Sequence, residues 1–203
     1  GTSTNSYNTA VGYHAGNDVT TGTQNTLIGG LAGDAINTGT QNSVLGYLAL
    51  SAETTGHYHT AIGREALKTQ NGASNNTAVG RTAGMLITTG NENTIVGAAA
   101  GDALVDADGN VAIGYNSLGG DSYGSRSVAI GHAALLSQNF TTAANSFNIA
   151  IGYSTGAAIT TGLNNTLIGG EAGDALTDSD RNVAVGKNAL TTEALGQYAT
   201  AIG

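Results

Sequence analysis

Asn25-Thr26-Leu27-Ile28-Gly29 is one copy of a pattern that runs the length of the chain. Its glycine recurs at Gly12, Gly29, Gly46, Gly63, Gly80, Gly97, Gly114, Gly131, Gly152, Gly169, Gly186 and Gly203. Every step is 17 residues except the one from Gly131 to Gly152, which is 21. A branched apolar residue precedes each glycine, from Val11 and Ile28 to Val185 and Ile202. So strict a register predicts that each unit is one turn of a solenoid, stacked on its neighbours. The expected fold is all-β: a parallel β-solenoid (β-roll) of about twelve turns, spanning residues 1–203 as a single domain. Both ends fall inside the pattern without polar caps, which predicts a segment of a longer chain.

Composition fits a thin stacked core. The chain has 32 glycines and no Pro, Cys or Trp, and its charged residues make up 10%, against the usual ~25%. Large core side chains are scarce, so Val, Ile, Leu and Ala must fill the interior. The six Lys and Arg are scattered singly in a chain of net charge −8, leaving no basic patch for a nucleic-acid backbone. Without Cys there are neither disulfides nor thiolate metal sites. No apolar run is long enough to span a bilayer, so no membrane insertion is expected of this segment.

Within the motif, Thr9 and Val11 fall on one strand face and Ala10 on the other. The Thr9 column becomes Val111, Val128, Ile149 and Val183, and the Ala10 column stays apolar throughout. A strand apolar on both faces is normally covered on both. The Ala10-Ala61-Ala78-Ala112-Ala129-Ala150 face is expected to pack against other chains, as a homotrimer. Asparagines four places before the glycine, from Asn8 to Asn182, predict a structural hydrogen-bonded ladder along the axis. The ladder breaks at His59, Ser127 and Ala199.

Four places after the glycine the chain carries either Gly (Gly16, Gly33, Gly84, Gly101, Gly156, Gly173) or Leu (Leu50, Leu67, Leu118, Leu135, Leu190). Three residues further, glycine turns have Val19, Ile36, Ile87, Leu104, Ile159 and Leu176. Leucine turns have Glu53, Gln70, Asp121, Gln138 and Glu193 there. Close packing predicts one large side chain per turn, delivered to a common corner from either position. Glycine and leucine turns alternate in pairs, giving a super-repeat of four turns, or 68 residues.

Asn8-Thr-Ala-Val-Gly-Tyr-His-Ala-Gly16, Asn110-Val-Ala-Ile-Gly114 and Ser127-Val-Ala-Ile-Gly131 resemble the head repeat of trimeric autotransporter adhesins. The 17-residue spacing with Thr-Thr-Gly turns, as at Thr20-Thr21-Gly22 and Thr88-Thr89-Gly90, is more similar to phage tail-fibre-like repeat proteins. The resemblance implies a left-handed roll, three chains around one axis, and an extracellular place on a bacterial surface or virion. It brings no catalytic residues and no cofactor. Ile28-Gly29-Gly30-Leu31-Ala32-Gly33 also looks like the hexapeptide of left-handed β-helix acyltransferases. That fold needs three hexapeptides per coil and an 18-residue period, which this chain lacks. An ice-binding array would need a continuous Thr-x-Thr ladder, and the Thr9 column does not stay Thr.

Candidate site residues are few. Tyr13, Tyr47, Tyr115 and Tyr153 share a column and could stack on glycans or cover the core edge. Asp106 with Asp108, and Asp178 with Asp180 one super-repeat later, could hold Ca²⁺ or form turns at a solvated corner. His57 and His59 lie two apart and could meet around a trimer axis at a metal, or serve the ladder. The four extra residues fall in the stretch Ser137 to Phe147, which holds both phenylalanines, Phe140 and Phe147. Insertions in solenoids map to loops, often on the binding face. A bulging loop is expected, with the register restored at Asn148 and the phenylalanines either binding a partner or pinning the loop. The functional expectation is a non-enzymatic, structural or adhesive segment of a surface fibre that meets a glycan or protein receptor. The competing expectation is a self-assembling filament or matrix subunit with no receptor.

Overall fold

Thr and Val at the motif favour extended backbone, and twelve three-residue strands form there, from Thr9–Val11 to Thr200–Ile202. The computed structural model describes residues 6–192 and 194–203. All twelve strands pair in parallel and in sequence order within one sheet. Register is kept from rung to rung: Ala10 opposes Leu27, Leu27 opposes Val44, and Ala112 opposes Ala129. The protein is a parallel β-solenoid with 17-residue turns. No helix among the described residues is long and apolar enough to cross a membrane.

The motif glycine follows from the stacking. Gly114 has φ +130°, and a Cβ there would lie 2.5 Å from the carbonyl oxygen of Gly131 in the next turn. Only a residue without a side chain allows this approach.

The corner four places on explains the Gly/Leu exchange. The backbone is left-handed there in both kinds of turn, at Gly33 (φ 53°) and Leu50 (φ 51°) alike. A Cβ on Gly33 would come within 2.7 Å of Ile36 Cδ1 and 2.9 Å of Leu27 Cδ2. The space is already filled by the residue three places later. Leucine turns fill it directly, and Leu50, Leu67, Leu118 and Leu135 are fully buried. The compensation read from the sequence is thus a volume exchange inside one corner.

The alanine face is corrected. Ala61, Ala78, Ala112, Ala129 and Ala150 are fully buried and line the interior of their own chain; only Ala10, on the first strand, is exposed. Alternation says that Ala10 lies opposite Thr9 and Val11, but not which side is inside. Interior volume decides it: beside the Leu or Ile that each corner supplies, the strand's inward residue is Ala in most turns, and Leu27, Val44, Ile95 and Leu167 fill the same buried column in the rest. The outward columns are therefore Thr9 and its equivalents, and the Val/Ile/Leu column before the glycine. Leu45 is 47% exposed and Ile113 is 36% exposed.

Candidate assembly and binding surface

Two side-chain ladders hold the turns in register. In the first, buried Asn25 donates Nδ2 to Gly39 O (2.9 Å) and accepts the amide of Asn42 on Oδ1 (3.0 Å). The pattern repeats at Asn93 and Asn165. The interior members of this asparagine row are closed to water, so it serves the turns rather than a sugar. His59 takes an asparagine's place. Its Nδ1 accepts the Asn76 amide (3.3 Å) and its Nε2 donates to Ala73 O (3.0 Å), which fixes a neutral ring with the proton on Nε2.

The second ladder was not read from the sequence. It lies two residues before the asparagine row and runs the other way: each amide donates to a side chain one turn on. Thr40 N–H goes to His57 Nδ1, His57 N–H to Ser74 Oγ, and Ser74 N–H to Asn91 Oδ1. Asn91 N–H goes to Asp108 Oδ1, and Asp108 N–H to Ser125 Oγ. Leu163 N–H goes to Asp180 Oδ1 in the same manner. The column needs an acceptor, and His, Ser, Asn and Asp all supply one; that common property was the signal. His57, Asp108 and Asp180 thus have structural partners. Asp106 accepts from Thr89 Oγ, and Asp178 from the hydroxyls of Thr160 and Thr161, which hold its carboxyl below the usual range. His59 is fully buried with both ring nitrogens engaged, so it cannot meet its symmetry mates around an axis. No group of three His, Cys, Asp or Glu side chains suited to a metal occurs among the described residues.

The polar residues of the leucine turns are buried, an arrangement that the sequence pattern alone did not reveal. Glu53 Oε1 accepts the amides of Thr55, Gly56 and Gly72, the last from the following turn. Burial alone would raise its pKa, but His59 and these amides outweigh it and lower it to about 2. One super-repeat on, Asp121 accepts the amides of Gly124 and Phe140 and the Gln138 side chain. Gln70 and Gln138 each accept from the next ladder asparagine, Asn76 and Asn148. Glu193 lies outside the described residues.

The insertion is built into the rod. Ala144–Asn145 pairs with Gly124–Ser125 as a second, two-stranded parallel sheet, and Ile149 resumes register opposite Val128. Phe140 folds back and is 7% exposed, whereas Phe147 is 49% exposed with the Arg126 guanidinium 5.8 Å from its ring centroid. One phenylalanine anchors and the other faces solvent. Asp106, Asp108, Ser125, Ala143, Ala144 and Asn145 border an open cavity of about 230 Å³.

The four candidate tyrosines are exposed and do not cover the core. Tyr115, His132 and Tyr153 stack on successive turns at centroid distances of 5.3 and 5.2 Å. The two tyrosines each give one ring face to His132, which leaves less for a glycan.

These tyrosines belong to a larger surface. The two outward strand columns hold no charged residue in any of the twelve strands. They are bounded by two columns of large side chains. On one edge, after the glycine, stand Tyr13, Tyr47, Arg64, Arg81, Tyr115, His132, Tyr153 and Lys187. On the other, five before the glycine, stand Tyr7, Tyr58, Arg126, Phe147, Arg181 and Tyr198. Five of the six Lys and Arg and seven of the eight Tyr fall in these columns, but of 14 acids only Glu92 does. What looks scattered along the chain is gathered by the 17-residue period. Enrichment in Tyr and Arg with depletion of Asp and Glu is the composition of a protein–protein interface.

Comparison with protein-family models, with curated proteins and with solved structures finds no match.

Proposed function

We propose that this chain is a structural and adhesive segment of an extracellular surface fibre, of the phage tail-fibre or bacterial adhesin-head kind, assembled as a homotrimer. The observation that carries this reading is the uncharged outward face of the twelve-stranded sheet, rimmed by Tyr and Arg. Twelve rungs at ~4.8 Å make it about 53 Å long, and a width of about 15 Å gives about 800 Å², one partner's share of a standard interface. A surface that repeats every ~4.8 Å is matched along its whole length by a partner with the same repeat. Another copy has that repeat by construction. A rod so assembled is stiff and carries its insertion at one fixed height, where a glycan or protein receptor would be met.

Native mass measurement tests the assembly. A trimer that falls to a single copy on placing Lys at Ile113 and Ile151 supports it, and a wild-type chain that stays single at high concentration refutes it. Binding of the assembled segment to intact cells tests adhesion. Assembly without binding would leave the filament or matrix subunit as the better reading.

A further inference from the structure

We infer that the interface joins unlike surfaces: the sheet face of one copy packs on the aspartate-bearing corner of the next. This rests on the assembly reading above and specifies the partner surface.

The charge distribution carries it. The sheet face and its two rims hold five Lys and Arg against the single acid Glu92, in a chain of net charge −8. Two such faces brought together would set cations against cations, which costs free energy when they are desolvated. The complementary surface is on the same molecule. Asp106, Asp108 and Asp178 are exposed on the corner beyond the sheet, with Asp180 half-buried beside them. Among the described residues the ion pairs are Arg64–Glu65 and Lys68–Glu65, and Glu53 faces the neutral ring of His59. Arg81, Arg126, Arg181 and Lys187 form none within the described chain, and neither do those four aspartates.

Height along the rod also agrees. Copies related by rotation about an axis parallel to the rod keep each residue at its own level. Arg126 lies one rung from Asp108, whose carbonyl accepts its amide at 3.0 Å, and Arg181 follows Asp180 directly. The acid column adjoins the Arg126 and Arg181 rim, so charges of opposite sign recur at matching levels on the two sides of one edge. The cavity beside Asp106 and Asp108 is an open recess, bordered on one side by Asn145, which accepts from Arg126 of the same chain, and its carboxylates face a cation brought by a second copy. An interface between unlike surfaces closes into a ring of more than two copies, whereas like-to-like packing stops at two.

The experiment is a charge swap read by native mass. The first variant carries Arg81→Glu, Arg126→Glu and Arg181→Glu. The second carries Asp106→Lys and Asp178→Lys, sparing Asp108 and Asp180 because those hold backbone amides. A third combines both sets. The expected result is that each set alone dissociates the assembly and the combined chain re-forms it. Raising salt from about 0.05 M to about 0.5 M should also weaken wild-type association roughly tenfold or more. A combined variant that stays dissociated, or assembly indifferent to both sets and to salt, overturns the inference while leaving assembly standing. A wild-type chain that never assembles overturns both readings. Amide exchange on each variant guards against unfolding as the cause of dissociation.

Discussion

The carboxylate of Glu53 and the imidazole of His59 lie 3.5 Å apart, and neither side chain has any exposure to solvent. The pair closes a corner where three backbone amides also point at Glu53. Its free energy depends on pH in a defined direction. Glu53 ionises at about 2 in the folded chain against an ordinary 4.5. Its contribution is therefore complete above the unfolded value and is lost as pH falls from 4.5 toward 2. A shift of this size corresponds to about 3 kcal/mol. Asp34 and Asp102 act oppositely, since burial raises their pKa values and their contribution fades as pH rises through them. Thermal melts from pH 6 to pH 2 should show a steep acid loss that Glu53→Gln flattens. An unchanged acid limb in that variant would remove Glu53 as its source.

His59 does an asparagine's work, so His59→Asn should keep the rod within about 1 kcal/mol of wild type. His59→Leu leaves the Asn76 amide and the Ala73 carbonyl unpaired in the interior and should cost about 2–4 kcal/mol. Denaturant melts decide; equal losses in the two variants would show that the ring is valued for packing alone.

Ala112 and Ile113 are neighbours on one strand with opposite fates. Ala112→Leu overfills the interior and should lower stability by about 1–3 kcal/mol without changing the assembled mass. Ile113→Lys points outward and should leave the melting of a single copy nearly unchanged while weakening association. Reversal of these two outcomes would return the alanine face to the outside.

Phe140 and Phe147 separate anchor from surface. Phe140→Ser should raise amide exchange throughout Asn139 to Asn145 and cost about 3 kcal/mol or more. Phe147→Ser should leave exchange as it was. If Phe147 meets a receptor, that change alone lowers attachment; if attachment is unaltered, the exposed ring is not a contact.

Gly114→Ala combines a forbidden backbone angle with a backbone clash across turns. A loss of at least about 3 kcal/mol is expected. A near-neutral effect would mean that adjacent turns can separate locally.

The solenoid was legible because a 17-residue period constrains every turn at once, and the corner exchange because Gly/Leu and apolar/polar change together. The Ala112 side was misread because alternation is symmetric under exchange of inside and outside. Only the volume taken by residues such as Leu118 breaks that symmetry. The buried positions of Glu53 and Asp121 were hidden for a related reason. A polar residue at a variable position reads as solvated until three amides are seen to converge on it. The rim of Arg and Tyr was present in the sequence but visible only by columns, since its members lie several turns apart.

Glu53 and Asp121 each bind an amide of the turn that follows them, at Gly72 and Phe140. The glutamine of that second turn then engages the next asparagine. A turn of this kind is not interchangeable with its neighbour. Removing a single 17-residue unit would leave a buried carboxylate facing the wrong corner, whereas removing 68 residues returns a leucine turn with a buried acid, Glu53 or Asp121, to the same place in the order of turns. The rod can therefore lengthen or shorten cheaply only in steps of four turns, about 19 Å. Its reach is set in whole notches, as on a ruler, and the notch is the acid.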